Sequence, residues 1–304
     1  MSLFDVVIVQ PIFNLLMGIY SLIPDFGVSI VIFTIIVRFA LWPLAKKQLH
    51  QAKAMRKMQP ELKKLQAKYK NNKQAQSMAM LDLYKKYNIG PFRSIAVLLI
   101  QLPILIGVYR VVQIFVMHRE ELGKFTYDIM EQLPTVGNLV QHPDQFNQNF
   151  LGIMDLTKHA VSPQGVAIGL VAFAALAAVL QYLLSKQTAP QSDSGKRLRD
   201  VLAEAEQGKE ADQAEVNAIV MRKMMKFMPI FLFFIMINLP GALALYMTTS
   251  NAVAYIQNKM ILRQDGDELE KIASEKQQKN AKKSPKQRAA NAKEANVTRI
   301  KAKD

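Results

Sequence analysis

The sequence predicts an all-α, polytopic membrane protein, and three observations carry that prediction. Half of the 304 residues are hydrophobic, and they fall in long runs rather than at regular intervals, which points to lipid as the solvent. The formal net charge of +15 is concentrated in a few connecting stretches, as topology-setting charge is. Cysteine is absent, so neither disulfides nor a lipid-modified cysteine contributes and the fold must rest on packing.

The first 25 residues, MSLFDVVIVQPIFNLLMGIYSLIPD, are apolar but contain no Lys, no Arg and no small-residue cleavage site before Pro24, which argues against a cleaved signal. Pro11 and Asn14 interrupt the run, so residues 10–23 are read as an amphipathic helix in the outer interface, within an external segment 1–26. A true additional span is the rival reading.

Five spans follow, at 27–44, 92–117, 164–184, 227–239 and 240–262. A span needs about 20 apolar residues to cross about 30 Å, so the fourth is short. It can cross by recruiting Met224 and Met225 or by thinning the bilayer around it. The sequence NLPG at 238–241 supplies a tight reversal that joins the last two spans as a hairpin.

Orientation follows from basic residues. Segment 44–93 has thirteen Lys and Arg against two acidic residues, Glu61 and Asp82, whereas 118–163 has three against six. The first is therefore cytoplasmic and the second external. The 259–304 tail has thirteen basic residues against seven acidic, and residues 1–27 have none against two. An external N-terminus, five spans and a cytoplasmic C-terminus satisfy every loop.

Residues 45–91 read as an antiparallel cytoplasmic pair of helices separated at Asn71 and Asn72. Met55, Met58, Leu62, Leu65 and Tyr69 form a stripe at three- and four-residue spacing, facing Met78, Leu81 and Tyr84 on the partner. Pro60 lacks a donor, so a kink or break is expected near Gln59, and Gly90-Pro91 ends the second helix. Loop 185–226 is mixed in charge and helical in part. The tail 263–304, rich in Lys, Ala, Gln and Asn, has too little apolar surface to fold from about residue 264 onward.

No enzyme signature is present: no phosphate-binding loop, no dinucleotide fingerprint, no nucleophile elbow. The four histidines are scattered without ligand spacing, and the sequence implies no cofactor and no metal. The residue that stands out is Arg38, in VIFTIIVRFALWPLAKK (31–47). It lies about eleven residues into an inward-running helix, below the midplane but within the hydrocarbon. A charge near a span's centre costs at least about 2.5–3.5 kcal/mol, and Arg cannot shed its proton. None of the five spans holds an Asp or Glu to neutralise it. Arg38 then either snorkels toward the level of Lys46 and Lys47 or faces a water-containing cavity. Gln101, Gln113, Gln181, Asn238, Thr248, Thr249, Ser250 and Asn251 are polar candidates for lining such a cavity, although each alone also reads as helix-to-helix glue. Arg110 reads as an interfacial anchor. The sixteen methionines suit a surface that accepts many apolar partners, but in a helical stripe they also serve as plain packing.

The stretches TIIVRFALWPLAKKQ (34–48), MRKMQPELKKLQAKYKNNKQ (55–74), LYKKYNIGPF with LLIQLPILIGVY (83–109), and KMMKFMPIFLFFIMINLPGALALYMTTSNAVAYIQNKMI (223–261) together resemble the YidC-type membrane protein insertase family, in its five-span form without the large external domain. The resemblance implies five spans around a hydrophilic groove open to the cytoplasm and to lipid. It implies that Arg38 matches a groove arginine that attracts acidic residues in the translocated tail of a nascent membrane protein, with Gln101, Gln181, Tyr246, Ser250 and Asn251 as groove positions. It further implies a cytoplasmic hairpin that receives substrate, carried here by Met55, Met58, Gln59, Pro60 and Tyr84, and a basic tail that helps to dock the ribosome, with a Sec-type translocon as a further partner beside the lipid bilayer. Two positions depart from the family pattern: Met247 stands where many members have an aromatic residue, and PFRS follows where many have glycines. The implied localisation is the bacterial inner membrane, multi-pass. The rival functions are a small-anion transporter built on Arg38 and a scaffold that only recruits ribosomes; the basic tail equally suits RNA phosphates or anionic lipid.

Overall fold

The structure is a computed structural model and describes residues 1–69, 72–87, 93–163, 165–188 and 213–281. It divides into two units, residues 1–258 and 259–304. A π-helical turn at Asp5–Val9 opens directly into α1 (Gln10–Leu22), so the first helical stretch starts five residues earlier than the 10–23 expected. Together Asp5–Leu22 is apolar and long enough to cross a membrane.

Asp25 caps α2 (Phe26–Ala40) by accepting a hydrogen bond from the Val28 amide, a preferred residue for an orphan donor at a helix start. The 27–44 span is not one straight rod. It breaks at Leu41 and continues as α3 (Trp42–Lys68) at 61°. Pro43 explains the break: it has no N–H to give to the carbonyl four residues back, yet fits the first turn of a new helix. Phe39 and Trp42 stack across the bend, with ring centroids 5.6 Å apart, and the amphipathic indole of Trp42 suits a membrane–water boundary.

α3 packs against α4 (Lys73–Lys86), whose start is capped by the Asn72 side chain accepting from the Ala75 amide. Of the kink or break expected near Gln59, the break does not occur: α3 runs continuously through Pro60. The hairpin core is Met58 and Leu83, with Ala54, Met55, Leu62, Leu65, Tyr84 and Tyr87 around it. The stripe on α3 is therefore as expected as far as Leu65, but on α4 it is rotated: Leu83 is buried while Met78 and Leu81 are exposed. Leu83 lies about 200° around the helix from Leu81, so only one of the two can face α3. Gly90-Pro91 and the stretch RLRDVLAEAEQ (197–207) of loop 185–226 lie outside the described residues, while the last part of that loop, from residue 213, is helical.

α5 (Arg93–Val116) follows. The 118–163 connector is a folded layer rather than a loop. It contains 3-10 turns at Arg119–Glu121 and Pro143–Gln145, the short helices α6 (Leu122–Phe125), α7 (Asp128–Glu131) and α8 (Pro134–Gln141), an antiparallel hairpin of β1 (Asn149–Phe150) with β2 (Met154–Asp155), and β3 (Val161–Ser162), which pairs antiparallel with β4 (Gly165–Val166) just beyond it. Its Leu122, Phe125, Val136, Leu139, Phe146 and Leu156 join the main core beside residues of α1, α2 and α5. Phe146 sits at the centre, about 5 Å from the rings of Tyr20, Phe26 and Phe115. Arg119 closes the layer: its Nε donates to the Phe115 carbonyl, its Nη2 to Gln148, and its guanidinium lies over the Phe146 ring.

α9 (Ile168–Thr188), α10 (Gln213–Met236) and α11 (Gly241–Ala281) complete the described chain. α9 packs along α10. The apolar stretch Phe227–Met236 is short, as expected; it is the C-terminal part of the continuous 24-residue α10, which at about 1.5 Å per residue is about 36 Å long. The reversal at Asn238–Pro240 is held by a bridge between His159 and Pro240 and by the Gly241 amide donating to Lys158 O. At Gly241 a Cβ would collide with Leu170 of α9. Ile168–Gln187 is long and apolar enough to cross alone. Among the described residues, the bent pairs Phe26–Ala40 with Trp42–Lys68 and Leu102–Val116 with Arg119–Phe125 also qualify, each taken as one broken span. α11 stays helical to Ala281, where an unfolded tail was expected from residue 264; Lys, Gln, Glu and Ala are good helix formers even without a core to bury.

Candidate functional site

Arg38 occupies the last turn of α2. A cation there meets the negative end of the helix dipole, which offsets part of its cost in a low-dielectric setting. Its Nε donates to Ser250 Oγ at 2.8 Å. Tyr246, one turn before Ser250 on α11, interacts electrostatically with the guanidinium. Ser250 and Tyr246 are both buried, and Arg38 is half-buried. A guanidinium offers several N–H donors in a planar fork. Among the described residues only Nε–H has an acceptor, and no carboxylate lies within ion-pair distance of Arg38. The site is thus a positive charge whose Nε–H is held by one neutral hydroxyl.

The helix end that carries this charge is itself fastened. Gln257 Nε2 donates to the Arg38 carbonyl at 3.0 Å, one of the carbonyls a helix C-terminus leaves unpaired. Gln257 was missed in the sequence, where the polar set stopped at Asn251. The available signal was spacing: 250, 254 and 257 recur at four and three residues and fall on one face of α11, and Ser250, Ala254 and Gln257 are all buried.

The other expected groove positions separate. Asn251 is buried and donates to Ala177 O of α9 at 3.1 Å, and Thr248 donates to Phe173 O of the same helix at 2.9 Å. Both are helix-to-helix glue, and their register makes α9 and α11 parallel. Gln181 lies one turn beyond Ala177 on the same face of α9 and is half-buried; no contact ties it to Arg38. Gln101 lies within α5, and its side chain is outside the described residues. Gln113 is paired to Tyr109 on its own helix, and Asn238 to the Phe234 carbonyl. Arg110, expected as an anchor, pairs with Glu121 of the connector at 3.3 Å.

In the hairpin, Met58 is fully buried and the half-buried Met55 and Tyr84 pack beside it; Met78 and Leu81 are exposed. Near Gln59 and Pro60, Arg56 makes a contact between elements that the sequence did not reveal. Arg56 Nη2 donates to the Lys186 and Gln187 carbonyls, both at 2.9 Å, so the base of the hairpin caps the C-terminal end of α9. Across the hairpin, Glu61 accepts from Lys86 Nζ at 2.8 Å and from the Tyr87 phenol at 2.6 Å. The Lys86 hydrogen bond, then that of Tyr87, holds the Glu61 carboxyl below its usual range, and the same contacts raise Lys86 and Tyr87. Among the described residues no cluster of His, Asp or Glu has the makings of a metal site.

The sequence profile of the 60Kd inner membrane protein family matches residues 18–268, a stretch that holds α2, Arg38, the hairpin and Ser250. The chain belongs to this family. Curated relatives are the membrane protein insertase YidC of Anaeromyxobacter dehalogenans, 25% identical over 246 residues that make up 80% of this chain and 34% of the relative, and that of Methylorubrum extorquens, 26% identical over 262 residues, 86% of this chain and 36% of the relative. The YidC of Caulobacter vibrioides is 35% identical over a shorter stretch of 105 residues, 34% of this chain and 17% of the relative. The chain spans about a third of the length of the first two relatives. As a member of the 60Kd inner membrane protein family with several apolar helices, it is a multi-pass inner membrane protein.

Proposed function

We propose that the chain is a membrane protein insertase, which moves nascent membrane proteins from the cytoplasm into the bilayer without nucleotide hydrolysis. The names of the relatives support this reading, and one observation carries the mechanism: Arg38 meets a neutral hydroxyl and no carboxylate among the described residues. A client whose translocated tail carries Asp or Glu supplies the missing anion. At about 4 Å and an effective dielectric near 20 such a pair is worth about 4 kcal/mol, against about 1 in water. That is enough to hold an acidic tail in transit and little enough to release it once the apolar segment partitions into lipid. No covalent bond changes.

In this reading Arg38, Gln101, Gln181, Tyr246, Ser250 and Asn251 border a hydrophilic groove among five spans, the N-terminus is external and the C-terminus cytoplasmic. Residues 45–91 meet the client first, and the basic tail 263–304 contributes to ribosome docking, with a Sec-type translocon as a further partner.

The test is insertion into vesicles containing the purified protein, scored by protection of the translocated tail from protease. Arg38→Ala and Arg38→Glu are expected to abolish insertion of a client with an acidic tail and to spare the same client with Asn in place of its acids. Undiminished insertion of the acidic client by both variants removes the assigned role of Arg38.

A further inference from the structure

The turn between β1 and β2 has an unusual composition. Leu151 adopts φ 52° and Gly152 φ 69°. The left-handed region is open to glycine and tolerable for asparagine, but it is unfavourable for leucine. Leu151 is nonetheless 60% exposed, and Ile153 beside it is 85% exposed. A strained leucine followed by a fully presented isoleucine has no explanation in packing among the described residues.

The height of this turn is fixed by its flanks. Phe150 fills the space over Gly27, the second residue of α2, where a Cβ would strike its ring, and its centroid is 6.0 Å from that of Phe173 in α9. Met154 likewise lies over Gly169, the second residue of α9. The Leu151 amide donates to Asp25 Oδ2 at 2.7 Å, the side chain that also caps α2. The hairpin therefore stands level with the first turns of two apolar helices, at the end of α2 opposite the α3–α4 pair. Ile168, which starts α9 at the same level, is 82% exposed. The apolar surface of α9 thus continues onto the hairpin tip. From Asn149 to Met154 the tip carries no charge, and Asp155 is turned back onto Thr157, accepting from its amide and hydroxyl.

We infer that Leu151 and Ile153 form a wedge that inserts into the phospholipid interface where α2 and α9 enter the bilayer, and so tethers the folded 118–163 connector to lipid. The occupant is the bilayer because the tip is continuous with a helix that is itself apolar enough to cross a membrane, and because an uncharged apolar tip enters the interfacial zone without burying a charge. This is independent of the insertase reading, since it requires only that the helices span.

The absence of cysteine makes the test direct. Ile153→Cys in the full chain, labelled with an environment-sensitive fluorophore, is reconstituted at high lipid excess into vesicles of phosphatidylethanolamine and phosphatidylglycerol, with iodide on both sides. Gln141→Cys on the exposed surface of α8 is the aqueous control. The probe at 153 is expected to be quenched severalfold more by lipids bearing a shallow nitroxide than by iodide, with the reverse order at 141. Equal access of iodide to both probes overturns the proposal, and so does shielding at 153 that grows with the ratio of protein to lipid, which would assign the tip to a second copy. Leu151→Asn retains a residue that tolerates the backbone conformation while removing the apolar group. It should at least double iodide quenching at 153, and unchanged quenching overturns the part given to Leu151.

Discussion

Arg38 shows how a charge is kept in an apolar helix when no carboxylate among the described residues pairs with it. Three inexpensive features act together: the C-terminal position in α2, a hydroxyl at Nε, and the Gln257 amide that holds the helix end in place. The Ser250 contact is a hydrogen bond from a charged donor, and such bonds contribute about 1.5–3 kcal/mol. Ser250→Ala should accordingly lower stability in detergent by about that amount, read as a fall in the thermal midpoint, while the positive charge stays and insertion of acidic-tailed clients falls by less than about threefold. A loss of insertion as complete as that of Arg38→Ala would mean that the hydroxyl, and not the charge, is what the client meets.

The helical elements behave according to their local chemistry, and the hairpin allows that to be measured. Glu61 is held below the ordinary glutamate range by Lys86 and Tyr87, so its contribution is complete above that ordinary range and disappears as the pH falls through the lowered value. Lys86 is raised by the same partner, so its contribution is complete below the ordinary lysine range and disappears as the pH rises through the raised value. A distance between spin labels on α3 and α4 should therefore stay constant between those limits and broaden at both, and Glu61→Gln should remove the acid-side step. A second expectation concerns Pro60, which sits inside α3 without a donor for the Arg56 carbonyl. An interior proline costs about 3 kcal/mol in a helix, so Pro60→Ala should slow amide exchange around residues 56–64. Unchanged exchange there would show that tertiary contacts already absorb the defect. The same elements show what the sequence could convey. The α3 stripe was legible because Met55, Met58, Leu62 and Leu65 are the only large apolar residues at helical spacing there. The α4 face was not, because Met78 and Leu81 compete with Leu83, Tyr84 and Tyr87 and only the angle at which α4 meets α3 chooses between them. The break at Leu41 was within reach, since Pro43 is visible in the sequence, but continuous hydropathy across 27–44 masks it. Arg38 was legible as a charge without an acidic neighbour in its span, whereas its partners depended on which faces of α2 and α11 meet.

At the scale of the whole molecule the two ends of the main unit are built on different principles. The α3–α4 pair is a narrow seam with a small core, clasped by exposed charges. The 118–163 connector is fastened to the helices by a broad aromatic core and by one buried amide. Asn14 donates through Nδ2 to the Phe125 carbonyl and accepts through Oδ1 from the Tyr127 amide, both at 2.8 Å, so the interruption in the first helix that looked like a mark of an interfacial segment is the bolt between α1 and the connector. Its alternating pattern is too irregular to announce a core from sequence, because each buried side chain comes from a different short element. Phe146→Ala removes the ring at the centre of that core and should cost about 3–5 kcal/mol; Asn14→Ala strands a buried donor and acceptor at about 1–3 kcal/mol for each group. Either variant should raise amide exchange across 122–146. Because neither residue shares a partner with the hairpin, both should leave the acid-side opening of the Glu61 clasp unshifted, as independent sites add. If loosening the connector instead moves that opening, the two ends are coupled through the helices between them, and a client bound at Arg38 would be felt at both.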